Sequence, residues 1–95
     1  MSRNSIFLEE LEEISQNIKT LAHENDIRDF ILEMHTQSEL ETLSKRWRIL
    51  KMLKAGITQR EIAKTLGVSL CKVTRGAKLL KDENSAIGKL IKGEQ

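Results

Sequence analysis

The sequence predicts an all-α protein, and three observations lead to this prediction. The chain of 95 residues contains no proline and only three aromatic residues, so residues that break helices or favour strands are scarce. Apolar residues recur mostly three or four positions apart, as one face of a helix requires. A chain of this length supports one modest core, and we expect residues 1–95 to form a single domain.

The first two predicted helices each carry one apolar face. The first runs from near Ser5 to Ala22, and its apolar side chains form a narrow seam suited to packing against another helix: Phe7, Leu11, Ile14, Ile18 and Leu21. A short second helix follows Asn25 and Asp26, and we expect it to bury Ile27, Phe30, Ile31 and Met34.

The third predicted helix opens at Thr36 and ends at Gly56. Thr36 and Glu39 have the spacing of a capping box, in which the two side chains bind otherwise free backbone N–H groups. Its expected inward side chains are Leu40, Leu43, Trp47, Leu50 and Leu53. We expect Trp47 to belong to the core rather than to contact a ligand.

Two short helices around one glycine predict a helix-turn-helix over about residues 58–81. Thr58 and Glu61 repeat the capping pattern, Gly67 permits the left-handed backbone of a tight turn, and Ser69 caps the next helix. The expected shared core is Ile62, Leu66, Val68, Val73 and Leu80. A weaker sixth helix is expected from about Asn84 to Lys92.

Charge is segregated along the chain. Residues 1–44 carry three basic and ten acidic side chains, whereas residues 45–81 carry eleven basic and one acidic. With Val73 pointing inward, the helical period turns Cys71, Thr74, Arg75 and Lys78 outward. Hydroxyl and cationic groups on one face suit contacts with bases and phosphates, so the segment predicts nucleic-acid binding.

Several other classes lack support in the sequence. We expect no enzyme, because no nucleophile with its base, phosphate loop or coupled carboxylate pair is present. His23, His35 and Cys71 lack the spacing of metal ligands, and Cys71 is expected to be a small residue facing DNA rather than a redox sensor. The apolar runs are too short for a membrane helix and no signal segment precedes the first glutamates; with a single cysteine, this favours the cytoplasm.

Three segments carry a more specific signal: "SELETLSKRWRIL", "TQREIAKTLG" and "KVTRGAKLLK". In this order and at nearly this spacing, over about residues 34–81, they resemble the bacterial tryptophan repressor family. The resemblance implies an intertwined homodimer of six-helix subunits that binds operator DNA when L-tryptophan is bound. It therefore implies a transcriptional repressor of genes for tryptophan synthesis or uptake, with L-tryptophan as corepressor and no other cofactor.

The resemblance also implies two sets of site residues. Arg46 and Arg75 fall where the family places arginines on opposite faces of the indole ring, and Leu79 replaces a serine that holds the ligand ammonium. The tryptophan site implied by the matching positions is Arg46, Arg75, Gly76, Leu79 and Thr36, with Thr36 coming from the partner chain. Glu33 stands where the family has a leucine, and its carboxylate is expected to join the site as a partner of the ammonium. Arg60, Ala63, Leu70, Cys71 and Thr74 fall at DNA-contact positions of the family. The full set of expected DNA contacts adds Gln59, Lys64, Ser69, Lys72 and Lys78.

Two alternatives remain open from the sequence. A repressor of the same fold that needs no ligand would keep the DNA contacts, although the paired arginines argue against it. A helical protein-interaction module would use the seam from Phe7 to Leu21 to dock a foreign helix, although the basic segment argues against that.

Overall fold

The computed structural model describes residues 7–92 and is all-helical over them, which confirms the predicted fold class. Its six helices are α1 (Leu8–Lys19), α2 (Glu24–Met34), α3 (Gln37–Lys54), α4 (Gln59–Leu66), α5 (Leu70–Lys81) and α6 (Ala86–Lys92). The chain divides into two compact units, residues 1–36 and 37–95. Within the described range, no helix combines the length and apolarity needed to cross a membrane.

The first unit contains α1 and α2, whose ends differ from the predicted ones. The predicted start at Ser5 lies outside the described residues. α1 ends before Ala22, because the Thr20 hydroxyl donates to the carbonyl of Asn17 at 2.7 Å and Leu21 N–H bonds to Ile18 in a tighter turn. α2 begins at Glu24, ahead of the predicted start, since His23 already has the extended backbone of an N-cap residue.

Neither helix of the first unit buries a side chain in the single chain. Leu11 is 57% exposed, and Ile14 and Ile18 are half-buried. The predicted burial of Met34 is wrong: its side chain, in the last turn of α2, is 54% exposed. No residue of the apolar seam of α1 is therefore fully buried within the protomer.

In the second unit, α3, α4 and α5 surround one small core. Its fully covered side chains are Ile49, Ile62 and Val73, and Leu53, Leu66 and Val68 pack against them. The prediction that Leu50 lies inward is confirmed, whereas Trp47 and Leu43 are 47% and 40% exposed. Their predicted burial is wrong, because the side of α3 that contacts α4 and α5 runs through Ile49 and Leu53 instead.

Side-chain caps shape the helix-turn-helix as predicted. The Thr58 hydroxyl accepts from the backbone N–H of Glu61 at 3.2 Å, at the start of α4. Gly67 ends α4 with φ 66°, a left-handed conformation that costs glycine little. Ser69 then accepts from the N–H of Lys72 at 3.3 Å and opens α5. These local signals confirm the boundaries of both helices.

The sixth helix begins two residues later than predicted. The Asp82 carboxylate accepts from the N–H of Asn84, and the Ser85 hydroxyl accepts from the N–H of Gly88, so the turn before α6 uses its own side chains as partners. At the other end of α6, the Lys54 ammonium donates to the carbonyl of Ile91 at 2.8 Å. Lys54 thus joins the end of α3 to the end of α6.

Replacing Lys54 with methionine is expected to lower the free energy of unfolding by about 1–2 kcal/mol, because a partly buried hydrogen bond from a charged donor is lost at the negative end of α6. Urea unfolding followed by circular dichroism measures the change. Lys51→Met is the matched control, since Lys51 is an exposed lysine of α3 whose ammonium has no hydrogen bond to residues 7–92. Equal destabilisation by both variants would contradict a specific role for Lys54.

Candidate nucleic-acid interface and ligand cavity

The second helix of the helix-turn-helix presents a polar face to solvent. Cys71 and Lys78 on α5 are exposed, and Thr74 is half-buried between them. Arg60 and Lys64 are exposed on α4. The structure thus brings cations from both helices to the solvent side of the motif, as contact with a phosphate backbone requires.

Two of the predicted DNA contacts bond to each other. The Thr74 hydroxyl donates to the side-chain carbonyl oxygen of Gln59, with 2.9 Å between the oxygens. The bond is partly buried and ties α5 to the first residue of α4. The sequence analysis found both residues but not this bond, because no periodicity links positions 15 residues apart.

The remaining predicted DNA contacts have different surroundings. Ala63 is half-buried against the core, so its small side chain serves the packing of α4. Leu70 is 44% exposed. The hydroxyl of Ser69 caps α5 and lies in the exposed turn, and Lys72 is exposed on the side of α5 nearer to α3. Their contact with DNA stays a prediction.

Behind α5 lies a small cavity against α3 and α6. It has a volume of about 50 Å³, and its lining includes four of the six residues predicted for the tryptophan site: Arg46, Arg75, Gly76 and Leu79. Lys72 adds a third cation, while Ile49, Leu50 and Ile87 supply apolar walls. Cations beside apolar walls suit a ligand that has both a flat apolar part and an anionic group.

At Gly76, α5 lies close to α3. A Cβ atom built on Gly76 would lie 3.1 Å from Cγ2 of Ile49, which is tighter than ordinary packing, and 3.4 Å from Cδ1 of Leu53, at the limit of ordinary contact. The absence of a side chain therefore allows the two helices to touch. Gly76 also lines the cavity, whose volume of about 50 Å³ is well below the ~300–1,000 Å³ of typical small-molecule sites.

A second, more polar cavity of about 230 Å³ lies between the first half of α3 and the turn of the helix-turn-helix. Ser38, Glu41 and Lys45 line it from α3, and Ser69 lines it from the turn. Arg46 and Lys72 line both cavities, so an anion in either one would experience the same two cations.

The other two predicted ligand residues, Glu33 and Thr36, belong to the first unit. Glu33 is exposed near the end of α2, and Thr36 directly precedes α3. Their part in a tryptophan site stays a prediction.

A wide apolar groove lies between α3 and α6. It has a volume of about 590 Å³ and is lined by Trp47, Ala55, Leu90 and Ile91 together with Lys51 and Lys54. Leu90 is 71% exposed and Trp47 is 47% exposed. Like the seam of α1, this groove is apolar surface that the single chain leaves open.

A capped helix-turn-helix with cations on its solvent side and a cation-lined cavity behind its second helix defines a regulatory DNA-binding protein. Comparison with known families agrees with this class. The sequence model described as "Trp repressor protein" matches residues 9–94, nearly the whole chain, and the chain belongs to the Trp repressor family. This is a family of DNA-binding regulators and not of enzymes.

Similar curated proteins carry the same family name. A Trp operon repressor homolog of Xylella fastidiosa (strain M23) is 50% identical over 50 residues, which cover 52% of this chain and 54% of that protein. A Trp operon repressor homolog of Chlamydia caviae is 39% identical over 70 residues, covering 73% of this chain and 66% of that protein. The chain thus spans about half the length of the Xylella relatives that it matches. No solved structure matches it.

Proposed function

We propose that this protein is a sequence-specific transcriptional repressor that binds operator DNA as a homodimer when L-tryptophan is bound. The regulated genes would be those of tryptophan synthesis or uptake, and the repressor would act on DNA in the cytoplasm. The observation that carries the proposal is the cavity behind α5, where Arg46 and Arg75 lie together with Gly76 and Leu79.

The lining of this cavity suits an indole carboxylate. A guanidinium can stack on the indole ring and also bind a carboxylate with two hydrogen bonds, which an ammonium does poorly. Arg46 comes from α3 and Arg75 from α5, so one ligand can engage both helices. Leu79 offers no acceptor for the ligand ammonium, and we assign that role to backbone carbonyls after α2 of the partner subunit together with the carboxylate of Glu33.

The small volume of the cavity gives the ligand a way to act on DNA binding. An indole ring that enters between Arg46 and Arg75 must move α5 away from its contact with α3 at Gly76. DNA and ligand then favour the same outward position of α5, so each tightens the binding of the other by the same factor. In a two-fold dimer, the two α5 helices would enter successive major grooves about 34 Å apart.

Binding to duplex DNA is expected to weaken steeply with salt and to tighten with L-tryptophan. If Arg60, Lys64, Lys72 and Lys78 all contact phosphates, a dimer releases about eight counterions, and the slope of log affinity against log salt approaches about −7. Fluorescence anisotropy with duplexes selected from a random pool measures both effects. L-leucine, which lacks the indole ring, is the control ligand.

Two outcomes would contradict the proposal in different ways. Affinity that does not depend on salt would contradict the phosphate contacts and favour the protein-interaction module. Salt-dependent binding that saturating L-tryptophan leaves unchanged would contradict the corepressor role alone. The second result would favour a repressor of the same fold that needs no ligand, a candidate that the small cavity and the apolar side chain of Leu79 support.

A further inference from the structure

The hydrogen bond between Thr74 and Gln59 fixes the direction of one hydroxyl proton on the DNA side of the motif. A threonine hydroxyl has one proton to donate and two lone pairs with which to accept. In the structure that proton points to the side-chain oxygen of Gln59. A third group can therefore bond to Thr74 Oγ1 only by donating a hydrogen bond to it.

Both side chains are held in place by the buried residues next to them. Val73 precedes Thr74 and is fully buried, which fixes the rotation of α5 about its axis. Ile62, one helical turn after Gln59, is also fully buried and fixes α4. The Thr58 cap sets the start of α4 immediately before Gln59. The bond is therefore a feature of the folded motif, partly shielded from competing water.

We propose that Gln59 determines which base Thr74 selects. With its proton donated to Gln59, Thr74 Oγ1 can only accept, so it favours a base that presents an amino group in the major groove. Those bases are adenine, through N6, and cytosine, through N4, whereas guanine and thymine present acceptors there. The inference rests on the proposed DNA-binding function. It adds Gln59 as a residue that sets base specificity by orienting the hydroxyl group of Thr74.

Gln59 has a second chemical consequence for binding. Its carbonyl oxygen is engaged by Thr74, which leaves the two N–H groups of the amide as donors. Donors at the first residue of α4, beside the exposed cation of Arg60, suit a phosphate oxygen. Gln59 would thus contribute to affinity through its nitrogen and to base preference through its oxygen, and two substitutions separate these roles.

The test measures base preference in the wild type and three variants. Duplexes are selected from a random pool, and the position that Thr74 reads is the one at which Thr74→Val loses the preference. At that position the wild type is expected to favour adenine or cytosine over guanine or thymine by about fivefold to tenfold, since a single base contact is weaker than a bidentate one.

Gln59→Met and Gln59→Glu are expected to differ. Methionine cannot accept the proton, so the Thr74 hydroxyl turns freely and the preference falls to less than about twofold. Glutamate can only accept, so the preference stays, while overall affinity falls because a negative charge lies beside the phosphates. Lys64→Met, on the exposed side of α4, is the control, and we expect it to weaken binding to all DNA sequences equally.

The results that would contradict the proposed function differ from those that would contradict the role of Gln59 alone. If the wild type binds DNA without a sequence preference, or does not bind it at all, the proposed function is wrong and the inference falls with it. If Gln59→Met keeps the wild-type preference, or Gln59→Glu shifts it to guanine or thymine, the inference is overturned while the DNA-binding function stands. The ratio of affinities for two DNA sequences does not depend on the fraction of protein that is folded. If Gln59→Met folds poorly, Gln59→Glu still tests the inference.

Discussion

Replacing Arg46 with alanine is expected to remove the effect of L-tryptophan on DNA binding. Arg46 lines the cavity from α3, so the substitution removes both a cation over the indole ring and a donor to the carboxylate. Together these contacts are worth about 2–4 kcal/mol, which corresponds to about 30- to 1,000-fold in the dissociation constant for tryptophan. Calorimetry measures that constant directly, and anisotropy measures the ratio of DNA affinities with and without tryptophan.

Arg48→Ala is the matched control for this experiment. Arg48 lies on the same helix, is exposed and does not line the cavity, so its loss removes the same charge without changing the cavity. A change in the long-range attraction of DNA would affect both variants alike. If both variants respond to L-tryptophan as the wild type does, Arg46 does not bind the ligand and the assignment of the cavity is wrong.

Replacing Leu11 and Ile18 together with aspartate is expected to unfold the protein rather than to produce stable monomers. Both lie on the seam of α1, no residue of which is fully buried in the single chain, and in the proposed homodimer a second copy covers it. Two carboxylates placed there would each lose hydration without gaining a partner, at a cost of several kcal/mol. Because the fold and the assembly of an obligate dimer are linked, folding is lost with association.

Analytical ultracentrifugation and far-ultraviolet circular dichroism report the two effects separately. Gln16→Asp adds a carboxylate to the opposite side of α1 and is expected to leave the dimer intact. The single tryptophan, Trp47, gives a third measurement, since its indole is 47% exposed in the single chain and its emission would shift to shorter wavelength if the second subunit covers it. A folded monomer of the double variant at micromolar concentration would contradict the obligate dimer.

The helix-turn-helix was predictable because its signals are local. The signals come from Thr58, Gly67 and Ser69, each of which acts on backbone groups within a few residues. Such short-range effects can be recognised from the sequence alone. The ends of α1 and α6 were less predictable for a related reason. There the Thr20 and Ser85 hydroxyls bind backbone groups in turns that a periodic pattern does not distinguish from one more helical turn.

Features that depend on the partner of a helix were not predictable. α3 carries two apolar stripes, one through Ile49 and Leu53 and one through Leu43 and Trp47, and the sequence does not say which of them α4 and α5 cover. The grouping of Arg46, Arg75, Gly76 and Leu79 around one cavity was predictable only through the family resemblance, because the lining residues come from three helices. Contacts between distant positions, such as that of Lys54 with Ile91, have no periodic signal at all.

The position of α5 against α3 depends on the residue at position 76 having no side chain. Glycine is the residue that allows α5 to rest on Ile49, since any Cβ at this position meets that side chain. In the proposed mechanism, the position of α5 against Ile49 is the inactive one, and the ligand must separate α5 from α3 before the protein binds DNA tightly. The lack of a side chain at Gly76 would thus set the position of α5 in the free protein, and the volume of the bound ligand would displace α5 from it.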